Sequence, residues 1–216
     1  DDFYTKSPNS RGTHKSEVLS YGAPKGTNQK DFVHTFQFVN PKETVKTVVI
    51  QNNNLKTAIT DLEPQYILAN ELTYRYNEKS SFYGGNEFFF FENKEIRAAS
   101  NGVQFIDLQD LYHSYLFTNI SRANQRYTYN PDINGNFVIT ALDVDNPDVE
   151  ADYAEVHFSL QYPKLEDGQD IFVYGNFNNY ELEEATRMEY FEEEGIYTTS
   201  FLLKQGFYNY KYVILN

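Results

Sequence analysis

The sequence predicts an all-β protein built as two β-sandwich-like domains, and three observations lead there. Tyr and Phe are abundant, at 19 and 18 residues with no Trp, and flat rings suit the pleated, half-buried surface of a sheet. Apolar and polar residues alternate with period 2 over many short runs bounded by turn residues. Helical periodicity is confined to "NKEIRAA", Asn93 to Ala99, and "EEATRM", each enough for a turn or two. A chain of 216 residues accommodates two compact units of ordinary size.

Residues 1–30 are rich in Ser, Gly, Pro, Asn and Lys, too poor in apolar groups to offset the entropy of ordering, and are expected as an extended, poorly organised segment. From Asp31 the texture changes. Phe32, His34, Phe36 and Phe38 alternate with Val33, Thr35, Gln37 and Val39 as a strand does, and Asn40-Pro41 closes the run. Val45 to Asn54 reads as a strand entering an asparagine turn, with "LKTAIT" as its hairpin partner. Pro64 to Tyr76 alternates again, Pro64 suiting the first position of a strand. Gly84-Gly85 allows a bulge before the run of Phe88 to Phe91. Further strands are expected at Val103 to Leu108, His113 to Asn119, Gln125 to Tyr129 and Phe137 to Leu142, with Asn134-Gly135 as a hairpin dipeptide. Asp143 to Asp152 is acidic, contains Pro147 and lacks periodicity, so it is expected as the linker. Strands follow at Tyr153 to Tyr162, Asp170 to Gly175, Arg187 to Phe191, Gly195 to Lys204 and Tyr208 to Leu215, an immunoglobulin-like sandwich that is small and ends incomplete. The expected organisation is an extended segment over 1–30, a β-rich domain over 31–146 and a sandwich over 147–216.

Composition excludes several classes of function. A net charge of −13 and a pI near 4.7 repel phosphate backbones and anionic head groups, against nucleic-acid binding and attachment to membranes by a basic patch. The absence of Cys removes disulfides and thiolate metal sites. No apolar run approaches the roughly 18 residues of a membrane span, so no direct membrane insertion is expected. The start at "DDFYTK", without Met or an apolar leader, is expected of a mature product whose signal peptide has been removed.

Candidates for chemistry are few. The carboxylate clusters "EDGQD", "ELEE" and "FEEEG" sit beside Gly in turns, where solvated charge is the ordinary outcome rather than glycosidase chemistry. Asp132, Asn134 and Asn136 have the spacing of calcium-loop oxygens, but Phe137 stands where Gly is needed and Asp143 where Glu is needed, and a hairpin turn accounts for them. His14, His34, His113 and His157 are widely spaced along the chain. There is no nucleophile elbow or phosphate-cradling loop. No catalytic residue, cofactor or metal is expected, and the chain is read as non-enzymatic. What remains is aromatic surface: Tyr208, Tyr210, Tyr212 and Ile214 share one face of the last strand, opposite Asn209, Lys211, Val213 and Leu215.

Two resemblances sharpen this. "VYGNFNNYELEE", Val173 to Glu184, with "GIYTTSFLLKQGFYNYKYVIL", resembles the early-set immunoglobulin-like domains that include glycogen- and starch-binding modules, through Gly175, Phe177, Asn178 and Tyr180, then Gly206, Tyr208, Tyr210, Lys211 and Tyr212. The resemblance implies a glycan contact at Tyr180, Asn178 and Lys211, with contact to a partner protein as the alternative role of the same residues, since Tyr180 stands where sugar-binding members carry Trp. A longer one runs from Asn40 to the end. "NPKETVKTVVIQNNNLKTAITDLEPQYILANELTY", "GGNEFFFFENKEIR", "YTYNPDINGNFVI", "NPDVEADYAEVHFSL" and "LLKQGFYNYKYV" together resemble the plug protein family of the Bacteroidota type IX secretion system. It implies a periplasmic, outer-membrane-associated protein that binds the large translocon barrel and seals its periplasmic opening, with other subunits of the machine as further candidate partners. Contact surfaces for the barrel are then expected in the turns at Gln51 to Asn54, Tyr83 to Phe91 and Asn176 to Tyr180, or along an exposed sheet edge. The alternative function is a carbohydrate-binding module of a surface glycan system.

Overall fold

The computed structural model describes residues 14–18, 32–37, 47–52, 54–68, 71–76, 79, 80, 82, 88–122, 125, 132–142 and 144–216. Two compact units divide the chain, 1–86 and 87–216. In the first, β1 (His14–Val18), β2 (Phe32–Gln37), β3 (Thr47–Val49), β4 (Ile59–Leu62), β5 (Tyr66–Leu68) and β6 (Glu71–Tyr76) form an antiparallel sheet ordered β1-β2-β6-β5 and the hairpin β3-β4. Val49, Leu62, Leu72 and Tyr74 make its small core. Strand β1 corrects the expectation of a poorly organised segment for residues 14–18, the described part of 1–30. Its backbone pairs with β2 from His14↔Phe36 to Val18↔Phe32, because a sheet edge offers hydrogen bonds whatever the polarity of the added strand.

The second unit is a β-sandwich. Its strands are β7 (Phe89–Glu92), β8 (Val103–Leu108), β9 (Tyr112–Leu116), β10 (Asn119–Ile120), β11 (Phe137–Ile139), β12 (Tyr153–Gln161), β13 (Asp170–Tyr174), β14 (Glu189–Phe191), β15 (Ile196–Lys204) and β16 (Gly206–Leu215). One sheet runs β14-β15-β12-β9-β8, with β10 continuing alongside β12. The other is organised on β16, which pairs with β7 over 207–210, β11 over 206–208 and β13 over 211–215.

The pairing of β9 with β12 is parallel, from Ala154↔Tyr112 to His157↔Tyr115. It corrects the expected boundary at 146/147, because strands on either side of that point belong to one sheet and a parallel pair needs a long crossover between them. The acidic 143–152 stretch is accordingly no linker. Pro147–Glu150 form a helical turn with Pro in the first turn, where its missing N–H costs nothing. Lys204 Nζ donates to the Asp148 carbonyl at 2.6 Å and the Gln205 amide to that of Asp152 at 2.8 Å, so the turn is tied to the sandwich. "NKEIRAA" is a turn burying Ile96, and "EEATRM" supplies the 3-10 turn Glu184–Thr186. The bulge expected at Gly84-Gly85 and most of the strand expected at Gln125 to Tyr129 lie outside the described residues.

Aromatic rings build the core between the sheets. Phe158 of one sheet meets Phe91 and Tyr210 of the other edge-on, at 5.8 and 5.1 Å. The tyrosines of β16 point inward: Tyr208 and Tyr210 are buried and Tyr212 is half-buried. Their hydroxyls are satisfied, as buried phenols require: Tyr208 donates to the Lys204 carbonyl, and Tyr210 and Tyr212 both donate to Asn119 Oδ1, the latter two at 2.8 Å. The tyrosine face of the last strand is therefore core, not the open aromatic surface the alternation left available.

Candidate functional site

The residues expected at the site, Asn178, Tyr180 and Lys211, meet at the corner that follows β13. At Gly175 an added Cβ would lie 2.5 Å from the Phe177 ring and 2.8 Å from the Asn209 carbonyl oxygen, so glycine alone fits that close approach. Asn176–Asn178 make a 3-10 turn, and Asn179 and Tyr180 then adopt left-handed backbone at φ 55° and 57°. The Tyr180 amide closes the corner on the Gly175 carbonyl at 3.0 Å.

That conformation turns Tyr180 into the protein. It is 3% exposed, its ring 5.0 Å from that of Tyr174 and its hydroxyl 3.5 Å from the Asn134 carbonyl. Burial pushes its hydroxyl well above the usual tyrosine range, assisted by Tyr174 and Asp132. Lys211 pairs with Tyr174 across the sheet, and its ammonium stands 5.2 Å from the Phe88 ring centre and 5.5 Å from that of Tyr174. Desolvation lowers the Lys211 pKa, and the ring faces replace part of the lost hydration. Asn178 Nδ2 donates to the Glu181 carbonyl at 2.9 Å.

The neighbouring "DINGNF" turn completes the corner. Asn134 and Gly135 both have positive φ, as the hairpin dipeptide requires. Both carboxylate oxygens of Asp132 accept backbone amides, Oδ1 from Asn134 at 2.8 Å and Oδ2 from Phe88 at 2.7 Å; these residues hold a turn. Asn209, fully buried, accepts from the amides of Ile133 at 2.8 Å and Gly135 at 3.3 Å. The corner is thus a closed structural joint. A sugar platform needs an open ring face, and the Tyr180 face is covered by protein, which overturns the glycan contact expected there.

The other expected contact turns divide. Asn54 is buried and caps the turn Leu55–Thr57 by accepting the Lys56 amide at 3.0 Å. In the stretch Tyr83 to Phe91, residues 83–87 lie outside the described residues; Phe88 and Phe91 are buried, and Phe90 is exposed against Phe207.

A different constellation lies on the outward face of the β14-β15-β12-β9-β8 sheet, where spacing along the chain gave no sign of it. Phe105, Tyr115, His157 and Ser200 fall in one row across β8, β9, β12 and β15. The Phe105 and Tyr115 rings stack at 4.3 Å and 9°, and Tyr115 and His157 at 4.1 Å and 9°. His113 Nδ1 and His157 Nε2 share a hydrogen bond at 2.9 Å. Burial and then His113 lower the His157 pKa, opposed by Glu155. Beside the row runs a groove of about 680 Å³. The alternation of β8, β9 and β12 marked these side chains as sharing faces; bringing them together took the parallel β9–β12 register.

No protein-family model matches the chain, and no curated protein matches it. Among solved structures the chain is similar to a hypothetical protein from Parabacteroides merdae ATCC 43184, with 30% identity and a TM-score of 0.79 over 94% of this chain and 52% of that one. The chain therefore spans about half the length of that protein.

Proposed function

We propose that this chain belongs to a non-enzymatic component of the type IX protein secretion system, a periplasmic plug associated with the outer membrane that binds the translocon barrel and closes its periplasmic opening. The observation that carries the reading is the set of ordered sequence blocks resembling that family. Three of them supply central elements of the sandwich: "GGNEFFFFENKEIR" contains β7, "NPDVEADYAEVHFSL" the helical turn and most of β12, and "LLKQGFYNYKYV" the end of β15 with most of β16. A plug needs a rigid body and a surface to present. The interlocked rings between the sheets supply rigidity, and Phe117, Tyr153 and Phe191, each at least half exposed, supply apolar surface for a partner protein.

Affinity capture with the tagged protein from its native outer membrane tests this. Recovery of a very large β-barrel protein supports the plug. Failure to recover it, with retention on a glucan column, replaces the plug with a glycan-binding module.

A further inference from the structure

We propose that the groove on the outward sheet face is a binding site for a neutral oligosaccharide, a function additional to plugging. The groove crosses the strands. The stacked row Phe105, Tyr115 and His157 lines it, and one step along the strands lie Ser159 and its cross-strand partner Thr198, with Ser159 hydrogen-bonded to Thr118 at 2.9 Å. Its end is lined by Glu184, Arg187 and Glu189.

The stack stops at the fourth strand. Rings on β8, β9 and β12 lie about one strand spacing apart, but the residue opposite His157 on β15 is Ser200, whose small side chain leaves a slot beside the imidazole. A pyranose ring is flat enough to enter such a slot, with an apolar C–H face for the imidazole and hydroxyls around its rim for Ser159 and Thr198. The volume suits a few sugar units, within the range of about 300–1,000 Å³ usual for ligand sites.

Charge and backbone chemistry narrow the class. Arg187, the cationic side chain among the described lining residues, is held in ion pairs by Glu184 and Asp170, and the other charges at the groove's end are carboxylates. Phosphorylated or sulfated ligands are therefore repelled. A peptide laid in the groove would run across the strands, whose amides and carbonyls are committed to the β8-β9-β12-β15-β14 ladders. It would find only side chains, among them the hydroxyls and carboxylates that a saccharide uses.

Amide chemical-shift titration of the whole chain with maltohexaose, cellohexaose and laminarihexaose tests the site. At least one should give saturable shifts at Ser159, Thr198 and Ser200 in the millimolar range. His157→Ala should weaken binding at least tenfold. Ser200→Phe should extend the ring stack into the slot, keep the thermal transition and abolish the shifts. Absence of saturable shifts with all three sugars, shifts that map elsewhere, or binding unaffected by a folded Ser200→Phe variant would overturn the proposal. Because the translocon is absent, failure here leaves the plug reading standing, and failure of barrel capture leaves this one.

Discussion

Tyr180 is the residue at which a structural role and a surface role predict opposite results. Its side chain is 3% exposed, against Tyr174 at 5.0 Å and the turn at Gly135, so Tyr180→Ala opens a cavity in a closed corner. Truncating a buried aromatic costs about 3–5 kcal/mol. The backbone at φ 57° remains unfavourable with Ala and is relieved by Gly, so Tyr180→Gly should be milder than Tyr180→Ala by about 1 kcal/mol. Urea unfolding followed by circular dichroism measures both, and a loss of about 3 kcal/mol should lower Tm by roughly 10 °C. If Tyr180→Ala unfolds within about 1 kcal/mol of the native protein, the ring is not holding the corner and the argument fails.

Two further predictions concern the half-buried His157 and the buried Asn209. The pKa of His157 lies below its ordinary 6.5, so between those two values the unfolded chain binds more protons than the folded one. Stability must then rise with pH through that window and be lower on its acid side; His157→Gln should flatten the dependence of unfolding free energy between about pH 5 and 7.5, and an unchanged slope would assign it to other groups. Asn209→Ala strips the acceptor from the amides of Ile133 and Gly135, and with each orphaned amide costing about 1–3 kcal/mol, a loss of roughly 2–6 kcal/mol is expected. Hydrogen exchange at Gly135 reads it directly, and continued protection there would show that the turn does not depend on Asn209.

Strand positions were largely legible because their signal is local. Alternation located β8 at Val103–Leu108 and β15 almost to the residue, and Asn134-Gly135 announced positive φ because few other dipeptides tolerate it. Position along a strand does not reveal which side faces the core. The Tyr208, Tyr210 and Tyr212 stripe has the same spacing whether it faces solvent or the opposing sheet, and the ring of Phe158 across the sandwich, edge-on to Tyr210, decides that it is core. The same ambiguity misassigned Tyr180, since inward rotation follows from two consecutive left-handed residues at Asn179 and Tyr180, a conformation that a tyrosine does not advertise.

By itself the amino-acid sequence determined the all-β class, the strand periods, the turn chemistry and the exclusion of thiolate and disulfide chemistry, since each depends on residue type and near neighbours. The tertiary structure alone decided the unit boundary, the burial of the tyrosines and the meeting of Phe105, Tyr115 and His157. The meeting of Tyr115 with His157 depends on the parallel register of Tyr112–Leu116 against Tyr153–Gln161, a long-range choice that near neighbours in the chain do not make. His113 and His157 show the consequence: 44 residues apart in the chain, they share a hydrogen bond because that register sets them side by side.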